Sequence, residues 1–134
     1  MKINKVNEEF LKLYFKNKKV YCKEVNKFIY LSDSYRIYRL FKEDCILDIS
    51  KFIEVNLDSF MKDDNYEDGI ITNELIIDKY KLRLIKNEQN KVYVNDEYLK
   101  LFDNPEVKIK DDHSPVLVYE KGELVGLILP IKEY

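Results

Sequence analysis

The sequence has no alanine and no tryptophan, three glycines, three prolines, two cysteines and one histidine. Each shortage removes a class of function. Three glycines cannot supply a glycine-rich phosphate loop, so Walker-type and dinucleotide-binding readings fall. A single histidine, His113, leaves no Ser-His-Asp set and no Cys-His pair, and no G-x-S-x-G elbow is present. Carboxylates are many but evenly spread, so no acid–base pair stands out. The chain is expected not to be an enzyme.

Metal and redox chemistry are equally thin. Asp111-Asp112-His113 is half of a metal site at most, and it reads as a polar turn before Ser114-Pro115. Cys22 and Cys45 lie far apart without a CxxC partner, in apolar stretches, and read as buried reduced thiols. The loop Lys62–Gly69 fails as an EF-hand: with Gly69 in sixth place, Tyr66 takes a ligand position and Leu75 the closing one. No metal or cofactor is expected. The longest uncharged apolar run, Leu124 to Ile131, is too short to span a bilayer, and no apolar signal core follows Met1. A cytoplasmic location without membrane contact is the expectation.

What remains is a chain of 134 residues, enough for one domain with its own core. It holds 14 Ile, 20 Lys, 11 Asn and 11 Tyr, and lacks the best helix former, so it leans towards sheet. With 25 acids against 23 bases, the formal charge of −2 argues against a generally basic nucleic-acid surface. A local basic stripe is still compatible with it.

The chain repeats itself. Asn7-Glu8-Glu9-Phe10-Leu11-Lys12-Leu13-Tyr14 aligns without a gap with Asn95-Asp96-Glu97-Tyr98-Leu99-Lys100-Leu101-Phe102. Each copy reads as a helix of about three turns, N-capped by Asn and led by acids that suit the helix dipole. Lys5-Val6 and Tyr93-Val94 precede the two copies as strand-like approaches. Three strand-like runs follow each: Val20–Glu24, Phe28–Leu31 and Arg36–Phe41, then Val107–Lys110, Val116–Tyr119 and Leu124–Leu129. Ser32-Asp33-Ser34 and Lys121-Gly122 mark turns. Cys45–Ile49 alternates like a strand, Lys51–Lys62 reads as a short helix or a loop, and Ile70–Asp78 and Tyr80–Ile85 read as strands. The expected fold is α+β: two repeated β-α-β-β-β units, about 1–50 and 80–134, around an irregular insert at about 51–79. Two helices should share one face of an antiparallel sheet.

This architecture, with four local motifs, resembles one domain of the bacterial DNA polymerase III β subunit, the sliding clamp. Leu31-Ser32-Asp33-Ser34-Tyr35-Arg36-Ile37 is similar to the clamp's Ala/Gly-Thr-Asp-Gly-aromatic/His-Arg-Leu segment. Val125-Gly126-Leu127-Ile128-Leu129-Pro130-Ile131-Lys132 is similar to its closing Tyr-x-Val-Met-Pro-Met-Arg. The run Val92–Leu99 resembles its Asn-x-x-Tyr-Leu approach, and Ser114-Pro115-Val116 the residues before its last hairpin. The likeness covers most of residues 1–40 and 90–134. Ser32 replaces a Thr and Ser34 a turn Gly, and a clamp subunit strings three such domains where this chain has one.

The resemblance implies a DNA-clamp fold and a groove for short apolar peptides, lined here by Ser32, Tyr35, Arg36, Ile37, Leu129, Pro130 and Ile131. It implies a non-enzymatic interaction module for replication or repair proteins. Lys12, Lys16, Lys18 and Lys19, at the end of the first helix, are the candidate DNA contacts, with binding expected to be weak or absent. Asp63, Asp64, Glu67 and Asp68 are candidate electrostatic contacts for a protein partner. Two further readings stand beside the first. One is a phage or mobile-element inhibitor, such as an anti-CRISPR or other anti-defence protein, that uses the scaffold to bind a host protein. The other is a DNA processivity ring, a homo-oligomer of several copies.

Overall fold

The computed structural model describes residues 1–132. It opens with helix α1, Ile3–Phe15. Ile3, Val6, Phe10, Leu13 and Tyr14 recur at three- and four-residue steps along it, and Val6 and Phe10 are wholly buried. The helix stops in a Schellman turn. The Asn17 N–H donates to the Tyr14 carbonyl (3.0 Å) and the Lys18 N–H to Leu13 (2.9 Å). Asn17 takes φ 58°, the left-handed conformation that asparagine tolerates.

A meander follows, β1 (Tyr21–Val25), β2 (Phe28–Ser32) and β3 (Arg36–Phe41). After a stretch of 3₁₀ turns come β4 (Ile53–Glu54), β5 (Glu67–Ile77), β6 (Lys81–Lys86) and β7 (Lys91–Asn95). A one-turn helix α2, Asp96–Leu99, leads into a second meander: β8 (Glu106–Ile109), β9 (Val116–Glu120) and β10 (Glu123–Ile128). The β9–β10 hairpin turns on Lys121 (φ 51°) and Gly122 (φ 79°), the two left-handed residues that suit the twist of a two-residue hairpin.

The strands form one ten-stranded sheet in the order β4-β1-β2-β3-β10-β9-β8-β5-β6-β7. Among the described residues only β1–β4 is parallel, which makes the sheet mixed rather than antiparallel throughout. The two meanders meet at its middle, where β3 pairs with β10. At the β7 edge the sheet curls back: the Ile131 N–H donates to the Tyr93 carbonyl at 2.8 Å. Both helices pack into the same core as the strands. Val6 and Phe10 of α1 and Leu99 of α2 share one core with Leu31, Tyr38, Val94, Val118 and Ile128. The fold is α+β.

Local departures from expectation have tertiary causes. α1 begins at Ile3, so Lys5-Val6 is helical, and the first unit runs α-β-β-β while the second keeps its leading strand β7. Asn7 therefore caps nothing. Its amide lies buried within α1 and donates to the Ile3 carbonyl (3.1 Å) and the Asp44 carbonyl (2.9 Å), while its oxygen accepts from Ile46 N–H (3.1 Å). Those bonds pin 44–46 into a turn, so Cys45–Ile49 forms no strand. Asn95 does cap, accepting from the Glu97 N–H at 3.0 Å. The helix it starts lasts four residues, because the chain tightens at Leu101 and Phe102 and Asn104 (φ 44°) turns it before Pro105. Lys51–Lys62 holds β4 and a 3₁₀ turn at Leu57–Phe60 rather than an α-helix. The stretch at 51–79 is not irregular throughout, since the eleven-residue β5 occupies its second half. Glu67 and Asp68 belong to that strand, opposite Ile109 and Lys108 of β8, so the acidic loop ends at Tyr66.

Cys22 is buried and Cys45 half-buried, both as free thiols that burial pushes above their usual pKa. Asp96, at the start of α2, is also buried, with Arg83 Nε at 2.9 Å and Lys100 Nζ at 3.5 Å. Burial works to raise its carboxyl, but the Arg83 hydrogen bond and the two cations outweigh it and hold the pKa below the usual range. A lowered folded-state pKa means that the stabilisation is complete above the unfolded value of about 4 and fades as pH falls through the folded one. Asp96→Asn should cost about 1.5 kcal/mol near neutrality, the scale of one hydrogen bond to a charged group. Urea melts should show the gap to wild type closing as pH falls below the usual carboxylate range; a gap independent of pH would contradict this role.

Candidate functional site

Alternation along β3 divides its residues between the two faces of the sheet. Tyr38 and Leu40 enter the core beneath the helices, whereas Ile37 joins Tyr30, Leu117, Tyr119 and Leu127 on the opposite face. There the 3₁₀ turn at 57–60 lies across the strands, with Leu57 buried beneath it and Val55 packed alongside. Between this turn and the ends of β2, β3 and β10 is a pocket of about 260 Å³. Its walls are Tyr21, Ser32, Ser34, Arg36, Ile37, Val55, Leu57, Phe60, Pro115, Leu127 and Leu129. No carboxylate, imidazole or thiol is among them.

Four of the seven groove candidates, Ser32, Arg36, Ile37 and Leu129, meet here. The turn that joins β2 to β3 is locally built. Ser32 Oγ accepts from Ser34 N–H (3.1 Å), and an Asp33 carboxylate oxygen from Tyr35 N–H (3.0 Å). Ser34 takes φ 82°, a left-handed conformation that glycine adopts more readily. The Tyr35 ring is exposed, while its carbonyl accepts from Leu129 N–H (2.9 Å), which ties the turn to the end of β10.

Arg36 is no surface charge. Only 3% exposed, its guanidinium stacks over the Tyr98 ring at 4.0 Å and pairs with Asp33 (3.0 Å) and Glu9 (3.5 Å). This cation serves the helix-facing side of the sheet, so its removal would disturb packing before it reported on the pocket. Pro130 is half-buried outside the pocket wall, and Ile131 lines a different, polar hollow with Tyr93, His113 and Lys132. Sequence reasoning missed the pocket's outer wall, Val55, Leu57, Phe60 and Pro115. Phe60 is its clearest exposed signal, an aromatic side chain that is 58% exposed beside the pocket.

The other candidates are dispersed. Lys12 is paired with Glu8 at 3.0 Å along α1, while Lys16, Lys18 and Lys19 stand exposed at its end. Asp63 accepts from the Tyr119 hydroxyl (2.9 Å) and faces Lys108 at 4.0 Å, so it anchors its loop; Asp64 is exposed. Asp111, Asp112 and His113 hold ligand-type atoms within 4.8 Å of one another. Asp111 already accepts from His113 N–H (3.0 Å), Ser114 N–H (2.6 Å) and the Ser114 hydroxyl (2.9 Å), which is the bonding of a polar turn.

Among the described residues no helix is long and apolar enough to cross a membrane. No family model matches the chain, and no curated protein or solved structure is significantly similar to it.

Proposed function

We propose that this chain is a non-enzymatic interaction module, akin to one sliding-clamp domain, whose pocket captures a short apolar segment of a replication or repair protein. The carrying observation is that Ser32, Arg36, Ile37 and Leu129 converge on one apolar pocket. At about 260 Å³ it falls below the usual range of roughly 300–1,000 Å³ for sites that enclose a small molecule. It suits one or two side chains of a peptide, with the hydroxyls of Ser32 and Ser34 and backbone groups beside them for orientation. Among the described residues the walls hold no carboxylate, imidazole or thiol, which favours binding over acid–base catalysis.

A fluorescent peptide carrying the Gln-x-x-Leu-Phe pattern that clamps capture tests this by anisotropy. Micromolar binding is expected, and Phe60→Ala should weaken it about tenfold, as for loss of a buried apolar anchor. Ile131→Asp, away from the pocket, should leave it unchanged. Lack of binding at high micromolar protein, or equal loss in both variants, would remove the proposal.

A further inference from the structure

We infer that the end of α1 is a second, independent binding surface, and that its ligand is single-stranded nucleic acid. Lys16, Lys18, Lys19 and Lys51 are all exposed, and none has an ion-pair partner among the described residues. Among the described residues six other lysines pair with acids, including Lys12 with Glu8, Lys23 with Glu54, Lys42 with Glu24 and Lys81 with Glu97, so it is the grouping of these four beside an exposed ring, not the lack of a pair, that singles them out. In a chain of net charge −2, Lys16, Lys18 and Lys19 at the end of α1, with Lys51 across the hollow from it, make a local positive field that the exposed Asp48 offsets only at Lys51.

The second observation is aromatic. Phe15, the last residue of α1, is 73% exposed. It is the outermost member of a ladder, with Tyr14 at 6.0 Å and Phe52 at 5.6 Å beyond Tyr14. The Schellman turn at Asn17 fixes the backbone that carries both the ring and the lysines. Phe15, Lys18, Lys19 and Lys51 line a shallow hollow of about 370 Å³ with no acid in its walls among the described residues. A free aromatic face flanked by lysines is how base stacking and phosphate neutralisation are combined for single strands. A duplex keeps its bases stacked inside and offers the ring nothing, and an acidic peptide would use the lysines but not the ring face. Lys12, paired along the helix, lies outside the surface.

Fluorescein-labelled oligothymidylate, titrated in about 50 mM NaCl, reads the interaction by anisotropy. Binding should show a log–log salt slope near −3, about 0.7 for each of four phosphate contacts. Phe15→Ala should weaken it about tenfold and Phe15→Trp retain it. Lys18→Glu with Lys19→Glu should abolish it; these side chains are exposed, so circular dichroism should stay native. The peptide-pocket variant Phe60→Ala should bind the oligonucleotide as wild type does, which separates this surface from the proposed peptide site. No binding, or binding insensitive to Phe15→Ala or to the lysine changes, would overturn the inference. So would equal competition by poly-glutamate, which would assign the surface to acidic protein.

Discussion

Tyr38→Ala is expected to destabilise the fold by about 3–5 kcal/mol, the range for deleting a fully buried aromatic side chain. Tyr38 lies at the centre of β3, opposite Leu31 of β2 and Gly126 of β10, and is completely buried. Its ring meets Phe10 of α1 edge-on at 6.0 Å and stacks on Phe102 at 4.9 Å. The hydroxyl donates to the Tyr98 carbonyl at 2.8 Å, and burial pushes the phenol well above its usual pKa. One side chain thus joins both helical segments to the seam between the meanders. Tyr38→Phe keeps the ring and loses only that hydrogen bond, so it should cost about 1 kcal/mol. Denaturant melts of the two variants separate packing from polarity. A small effect of Tyr38→Ala would mean that the two helical segments are held by other contacts.

Gly126→Ala should follow closely, at about 3 kcal/mol, the upper end for overpacking. A Cβ on Gly126 would lie 2.5 Å from the Ile37 carbonyl oxygen and 2.5 Å from Phe102 Cζ. The Phe102 ring is itself stacked on Tyr38, and a backbone oxygen in a paired strand cannot retreat. The residue sits beside a register shift in the β9–β10 ladder, where the backbones of β3 and β10 and the Phe102 ring crowd together. Gly126→Ala should therefore lower the denaturation midpoint clearly. Gly122→Ala is its contrast: there a left-handed φ opposes the substitution, but nothing lies within 4 Å of the added carbon.

The sequence made the meanders legible because their signals are local. β3 begins and ends where its alternation does, and β2 and β9 are each one residue longer than their apolar runs. The two-residue turn at Lys121-Gly122 is likewise written in residue type. The near-identical octapeptides misled for an equally physical reason. Asn95 follows a strand and caps, whereas Asn7 follows Ile3 and Val6 at helical spacing and grips a turn some forty residues on. That grip depends on where 44–46 comes to lie, which no local pattern encodes.

The candidate site divides in the same way. Its inner wall, Ser32, Ile37 and Leu129, sits on strand ends recognisable from the chain. Its outer wall comes from a 3₁₀ segment without periodicity, so Leu57 and Phe60 showed their role only after folding. Arg36 lines the pocket as expected, but its burial was not legible, because burial of a guanidinium depends on its partners. Asp33 is local, but Glu9 and Tyr98 come from the two helical segments.

The pocket is tested most directly by amide chemical-shift mapping on isotopically labelled protein during titration with the Gln-x-x-Leu-Phe peptide. The account predicts saturable shifts concentrated at Ser32, Ser34, Ile37, Leu57, Phe60, Leu127 and Leu129, with little change at Tyr93, His113 and Ile131. Shifts centred on that second group, or none at all, would contradict it.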